Sequence, residues 1–345
     1  MAYTTIDDPE AYFQAVTYTG NGSADHAITL DGDTDMQPDL VWIKNRVAAD
    51  AHCLFDSVRG VTVMLQPNDT SGEATDTDTL DAFQSDGFRT DGDNETNTNT
   101  EAYVAWCWKG ANGTASNSTG DLTSTVSANT TSKFSIVSWT AADAGAAKTV
   151  GHGLGVVPEF IIVKQRNRTV NWPCYIEAIG NTNTMWLDTT DASSVVDYWN
   201  DTSPTTSLFT TNALLEDAYN NIAYCFAPVQ GFSKFGKYTG NGNADGPFIH
   251  LGFRPAWIMT KITSGVDNWQ VCDNKRDTDN AVFSQLNPDS TDAQNDGDAK
   301  VDFLSNGFKI RKSGGSWNGS GSTFVYMAFA EAPFVNSNGV PCNAR

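Results

Sequence analysis

Three carboxylates alternate along Asp31-Gly32-Asp33-Thr34-Asp35. In an extended loop that spacing can turn Asp31, Asp33 and Asp35 toward one hard cation, and Ca²⁺ is the ion such oxygen ligands would take. The bidentate glutamate of an EF-hand loop is absent, because the twelfth position counted from Asp31 is Trp42. Asp292, Asp296 and Asp298 form a looser acidic cluster, and no other cofactor is expected. The histidines His26, His52, His152 and His250 supply neither H-E-x-x-H nor local support for a Ser-His-Asp triad. His152, between Gly151 and Gly153, reads as a turn residue. Gly151, Gly153 and Gly155 fall short of G-x-G-x-x-G because Val156 stands at the third glycine position. A carboxylate pair for glycoside cleavage is defined by separation in space, so spacing along the chain identifies none among the 41 acidic residues. No catalytic residue is assigned. Trp186, Trp199 and Trp317, in Asn- and Ser-rich stretches, are the candidates for stacking against sugar rings.

Internal repetition organises everything else. An aromatic–threonine pair recurs at Tyr18-Thr19, Trp139-Thr140 and Tyr238-Thr239. Each is followed by a proline (Pro38, Pro158, Pro255) that opens an apolar run closed by Lys44, Lys164 or Lys261. Phe88, Phe209 and Phe308 come next, and each copy ends on an aromatic run: Val104–Trp108, Ile222–Phe226 and Val325–Phe329. These landmarks in fixed order predict three copies of a module of about 100 residues. The acidic position after the proline is Asp39, then Glu159, then Ala256, so it is no catalyst shared by the copies.

Along Leu40–Lys44 both strand faces are apolar until the lysine, the pattern of a central strand leaving the core. The closing run has a bulky face (Trp106, Trp108; Tyr224, Phe226) and a small face (Ala105, Cys107; Ala223, Cys225) that lets another layer approach. Helical periodicity is nearly absent, and Asn/Gly turns such as Gly20-Asn21-Gly22 recur. The expected fold is all-β: three tandem antiparallel β-sandwich modules of jelly-roll or lectin-like type, each with its own core. The expected boundaries are an N-terminal attachment arm at 1–14, unit one at 15–110, a linker or first strand of unit two at 111–132, unit two at 133–230, unit three at 231–336 and a tail at 337–345.

The formal net charge is −20. The cations Lys309, Arg311 and Lys312 read as a solvated strand end, so nucleic acid and anionic membrane are poor partners. No apolar run reaches the roughly 18 residues of a membrane span. Met1–Glu10 carries no cation and no apolar stretch, so a secretory signal is not expected. The six cysteines show no C-x-x-C spacing, and Cys107 and Cys225 within apolar strands read as buried free thiols.

The stretch Gly120–Thr130, with Phe134-Ser135-Ile136-Val137 and Gly151-His152-Gly153-Leu154-Gly155, resembles a module of marine bacteriophage virion proteins. Tyr18–Gly22, Pro38–Arg46 and Leu54–Gly60 resemble the same family's signature, as do Tyr238–Gly242 and Asp302–Phe308. Ala141-Ala142-Asp143 replaces Gly-Asn-Gly in unit two, so a ligand role of that turn would not extend there. The resemblance implies a non-enzymatic virion component, a tail-fibre or receptor-binding subunit contacting host-surface glycan. A capsid-surface decoration protein and a polysaccharide depolymerase are the alternatives. It further implies assembly as a homo-oligomer, a trimer, with other virion proteins held through the N-terminal arm. The protein would be made in the host cytoplasm and located in the virion.

Overall fold

A strand that is apolar on both faces must lie in the middle of a sheet covered on both sides. In the computed structural model, which describes residues 2–141, 147–212, 214–215 and 218–342, Leu40–Asn45 does so. It sits between Ala102–Trp108 and Cys53–Asp56, with Phe13–Thr19 beyond the closing strand. The order opening strand, closing strand, central strand, following strand recurs twice. In the second repeat it is Phe134–Thr140, Asn220–Phe226, Phe160–Gln165 and Pro173–Ile176; in the third it is Ser233–Thr239, Thr323–Pro333, Phe253–Ile262 and Gln270–Asp273. All pairings in these sheets are antiparallel, and the fold is nearly all β, 42% strand against 4% helix. Registers repeat as well: Lys44, Lys164 and Lys261 lie opposite Val104, Ile222 and Val325. Pro38 and Pro158 precede their strands, whereas Pro255 lies inside Phe253–Ile262, where the register shifts at a bulge that tolerates the missing donor.

The two faces of each sheet have different partners. The small face of the first, with Val41, Ile43, Ala105 and Cys107, packs with Ile28, Leu80 and Phe88 of a small companion sheet. In the second repeat Ala223 and Cys225 pack with Val150 and Phe209. The bulky faces meet one another. Trp42, Trp106 and Trp108 of the first repeat join Phe160, Tyr224 and Phe226 of the second and Trp257, Met327 and Phe329 of the third in one buried cluster. Trp108, Phe226 and Phe329 occupy the same position of the closing strand. They form a triangle of rings, with centroids 6.3, 5.6 and 5.9 Å apart. The three sheets thus surround one aromatic axis: the small faces of the first and second repeats keep cores of their own, as expected, but the bulky faces belong to a core that all three share. Large rings facing outward from a sheet need apolar cover, and here the same faces of the other two repeats supply it.

The segment 111–132 is no free linker. Ala115–Asn117 and Ser124–Asn129 are strands that extend the second sheet, as the alternation of Leu122, Ser124 and Val126 allows. The N-terminal residues lie against the third repeat. Ile6 is buried in the shared core, and the Tyr3 hydroxyl donates to the Gly252 carbonyl at 2.8 Å. Cys53, Cys107, Cys174, Cys225 and Cys272 are buried free thiols, while Cys342 is exposed.

Candidate functional site

Where the repeats meet, polar groups are passed from one to the next in cyclic order. The residue before each following strand is His52, Trp172 or Trp269. Trp42 Nε1 donates to Nδ1 of His52 at 3.0 Å, which leaves Nε2–H to donate to the Asn287 carbonyl of the third repeat at 3.0 Å. Burial holds the His52 imidazole well below its ordinary pKa, hence neutral. Trp172 Nε1 donates to Asp69 O of the first repeat at 2.9 Å, and Trp269 Nε1 to Trp186 O of the second at 2.8 Å. First donates to third, second to first, third to second: the ring closes within one chain.

The three strand-end lysines are buried, and Lys164 and Lys261 reinforce this closure. Lys164 Nζ donates to Thr70 O of the first repeat (2.6 Å) and to Val170 O (2.5 Å). Lys261 Nζ donates to Thr190 O and Asp191 O of the second repeat (3.1 and 2.9 Å). Lys44 Nζ binds Asn45 O and Ala48 O (2.7 and 3.1 Å). Burial pulls each of the three ammonium groups down to about 8. Two buried ion pairs also stand at junctions: Asp56–Arg59 (2.5 Å) accepts the Tyr224 hydroxyl of the second repeat at 2.8 Å, and Asp273–Arg276 (2.6 Å) accepts Trp106 Nε1 of the first at 2.9 Å. The positions of Asp56 and Arg59 are Ile176 and Ile179 in the second repeat.

The tryptophans singled out from sequence are mostly inside. Trp317 is fully buried with its Nε1 donating to Gln285 Oε1 at 2.9 Å, and Trp199 is 1% exposed, edge-on to Tyr175. Neither can stack on a sugar; each anchors its loop to the core. Trp186 is half-buried, with Tyr198 at its edge. Asp31, Asp33 and Asp35 do not converge: Asp31 pairs with Lys275 of the third repeat at 2.8 Å, and Asp33 contributes its backbone N–H to Glu10 at 2.8 Å. Among the described residues the one acidic group with oxygens within 4.8 Å of one another is Asp25, Asp81 and Asp91, and Arg89 pairs with Asp25 (3.0 Å) and Asp81 (2.7 Å). His152 is a buried loop pin that accepts from Leu154 N at 3.2 Å. Of Ala141-Ala142-Asp143, the last two lie outside the described residues.

The Gly-Asn-Gly turns are structural knots held by two asparagines that sequence reasoning missed. Asn97 Nδ2 donates to Asn21 Oδ1, Ser23 O and Asp91 O, and its Oδ1 accepts Asn21 N–H. Asn318 repeats the pattern with Asn241, Asn243 and Lys312. A Cβ on Gly20 would stand 2.2 Å from Thr98 O, and one on Gly240 2.3 Å from Gly319 O, so only glycine fits. The signal was present: Asn97 and Asn318 each stand five residues before a closing strand.

Open clefts lie between repeats. The one between the second and third, about 200 Å³, is lined by Glu159, Glu177, Ala178, Phe235, Gly236 and Lys237. Burial and then the neighbouring Glu177 raise the Glu159 carboxyl above its ordinary pKa, with Lys234 opposing. Glu177 accepts the Tyr175 hydroxyl, and Lys237 Nζ donates across to Ala178 O at 2.9 Å.

Comparison with curated proteins and with solved structures finds no match. The family model described as "Domain of unknown function (DUF7483)" matches residues 8–333, a single stretch running through all three repeats and the ring they close. The chain belongs to the DUF7483 family.

Proposed function

We propose that the chain is a non-enzymatic structural protein of a bacteriophage virion, a tail-fibre or receptor-binding subunit that contacts host-surface glycan. The observation that carries this reading is the closed ring. Three copies share one aromatic core and exchange side-chain-to-carbonyl hydrogen bonds in cyclic order, so loosening one repeat uncovers the bulky faces of the others. A surface part of a particle needs that resistance to local opening, because proteolysis acts on opened segments. The sequence resemblance of Gly120–Thr130 and Tyr18–Gly22 to phage virion modules supports the same reading. A homotrimer would have to form through outer faces, since the bulky faces already meet within one chain.

A depolymerase is the second reading, favoured by Glu159 and Glu177 lining one cleft with the pKa of Glu159 raised. Gold-labelled antibody against the purified chain is expected to mark the tails of intact particles. Label confined to the head would favour a decoration protein, and particles without label would overturn the virion assignment. New reducing ends released from host-envelope glycan would overturn the non-enzymatic reading.

A further inference from the structure

Comparison of the three repeats separates residues the fold needs from residues it does not. The cross-strand pair near the middle of the opening strand is Val16–Ala105 in the first repeat and Val137–Ala223 in the second, but Gly236–Tyr326 in the third. The next residue on the opening strand is Thr17, Ser138 and then Lys237. Across the junction, the position of Glu159 is Asp39 in the first repeat and Ala256 in the third, while that of Glu177 is Ser57 and Asn274. Four departures from the repeat pattern, Glu177, Gly236, Lys237 and Tyr326, therefore gather at one junction.

The geometry there differs from its two counterparts. Around the first repeat, Asp39 is satisfied by the chain itself, accepting Ser57 Oγ at 2.5 Å and Asn112 N at 3.0 Å. In the third, Ala256 carries no polar group and Asn274 donates to Glu331 at 2.8 Å. Between second and third, the cleft stays open. Gly236 has no side chain, and a Cβ there would stand 2.9 Å from the Tyr326 hydroxyl. Burial and then the Glu159 carboxylate push the Tyr326 phenol up to about 12. A glycine within a strand commonly marks close approach of another group.

We propose that this cleft holds one neutral sugar ring of a surface glycan. Ring hydroxyls donate to the Glu159 and Glu177 carboxylates and accept from Lys237, while Ile176, Ala178 and Phe235 face the apolar side of the ring. Two carboxylates set against Lys237 and Lys234 favour a polyol over a strongly charged ligand. The volume, below the roughly 300–1,000 Å³ of drug-sized clefts, suits a single residue rather than a chain. The site rests on the glycan-contacting reading above and replaces the buried Trp199 and Trp317 as its contact point.

The test is saturation-transfer NMR on the intact chain with glucose, galactose, mannose and N-acetylglucosamine and their linear oligomers, alongside adhesion to host-envelope glycan. Glu159→Gln should weaken the bound sugar at least tenfold. Lys237→Thr places in the exposed cleft wall the residue that the first repeat carries at Thr17. It should fold with an unchanged melting temperature and weaken the transfer signal at least tenfold. Adhesion retained undiminished by both variants would overturn the cleft while leaving the glycan-contacting reading intact. A wild-type chain that neither binds these sugars nor adheres to host glycan would overturn both.

Discussion

Truncating Trp108 to alanine is expected to destabilise all three repeats together, by about 3–5 kcal/mol, the usual range for emptying a buried tryptophan site. Trp108 belongs to the first repeat's closing strand, yet its ring lies 6.3 Å from Phe226 and 5.6 Å from Phe329, as well as 5.0 Å from Phe13. Removing it opens a hole on the common axis, and no one sheet can collapse into that hole without drawing the others. Native-state hydrogen exchange should show slow amides in Leu40–Asn45, Phe160–Gln165 and Phe253–Ile262 losing the same protection. Loss confined to the first repeat would contradict the shared core. Trp108→Phe should cost much less. The phenyl ring keeps most of the packing, and the indole N–H it discards is buried without a partner, so that removal relieves rather than adds a desolvation cost.

Arg59→Met should be nearly as damaging, about 3–5 kcal/mol, because it leaves Asp56 buried and uncompensated. Both side chains are fully buried, and the guanidinium also donates to Val63 O (2.8 Å) and Leu54 O (2.9 Å). The second repeat shows the apolar solution to the same problem, with Ile176 and Ile179 in these places. Hence Asp56→Ile with Arg59→Ile, combined with Tyr224→Phe to remove the hydroxyl that Asp56 accepts, should recover most of the loss. The pair is then an interaction whose halves are costly singly and dispensable together, which a double-mutant cycle in urea measures as coupling. Additive losses across the cycle would contradict this.

How far residues reveal such an arrangement depends on what kind of question is put to them. Strand positions were legible because the lysine closing each apolar run, at Lys44, Lys164 and Lys261, ends a central strand in the same register each time. The division into bulky and small faces was legible too, since period-two alternation assigns side chains to faces. Alternation says that a face is buried and is silent on what buries it. Trp42 and Trp106 would look the same in a sandwich interior as on a common axis, and the expectation of separate cores failed there. Polar loop composition misled at Trp199 and Trp317, where a single ring pins its loop into the core. Likewise the alternation of Asp31, Asp33 and Asp35 predicts a cation loop only if those residues face one point. Lys275, distant in sequence and next to Asp31 in space, had no signature at all. The cleft of Glu159, Glu177 and Lys237 belongs to two repeats, so spacing within either could not announce it.

The central claim is that three sequence repeats fold as one ring, and calorimetric unfolding of the intact chain tests it most directly. One transition is expected, with calorimetric and van't Hoff enthalpies in a ratio near one, since the bulky face of each sheet is buried by the other repeats and unfolding one exposes them all. Separate transitions, or a ratio approaching three, would show independently folding modules and contradict the shared axis of Trp108, Phe226 and Phe329.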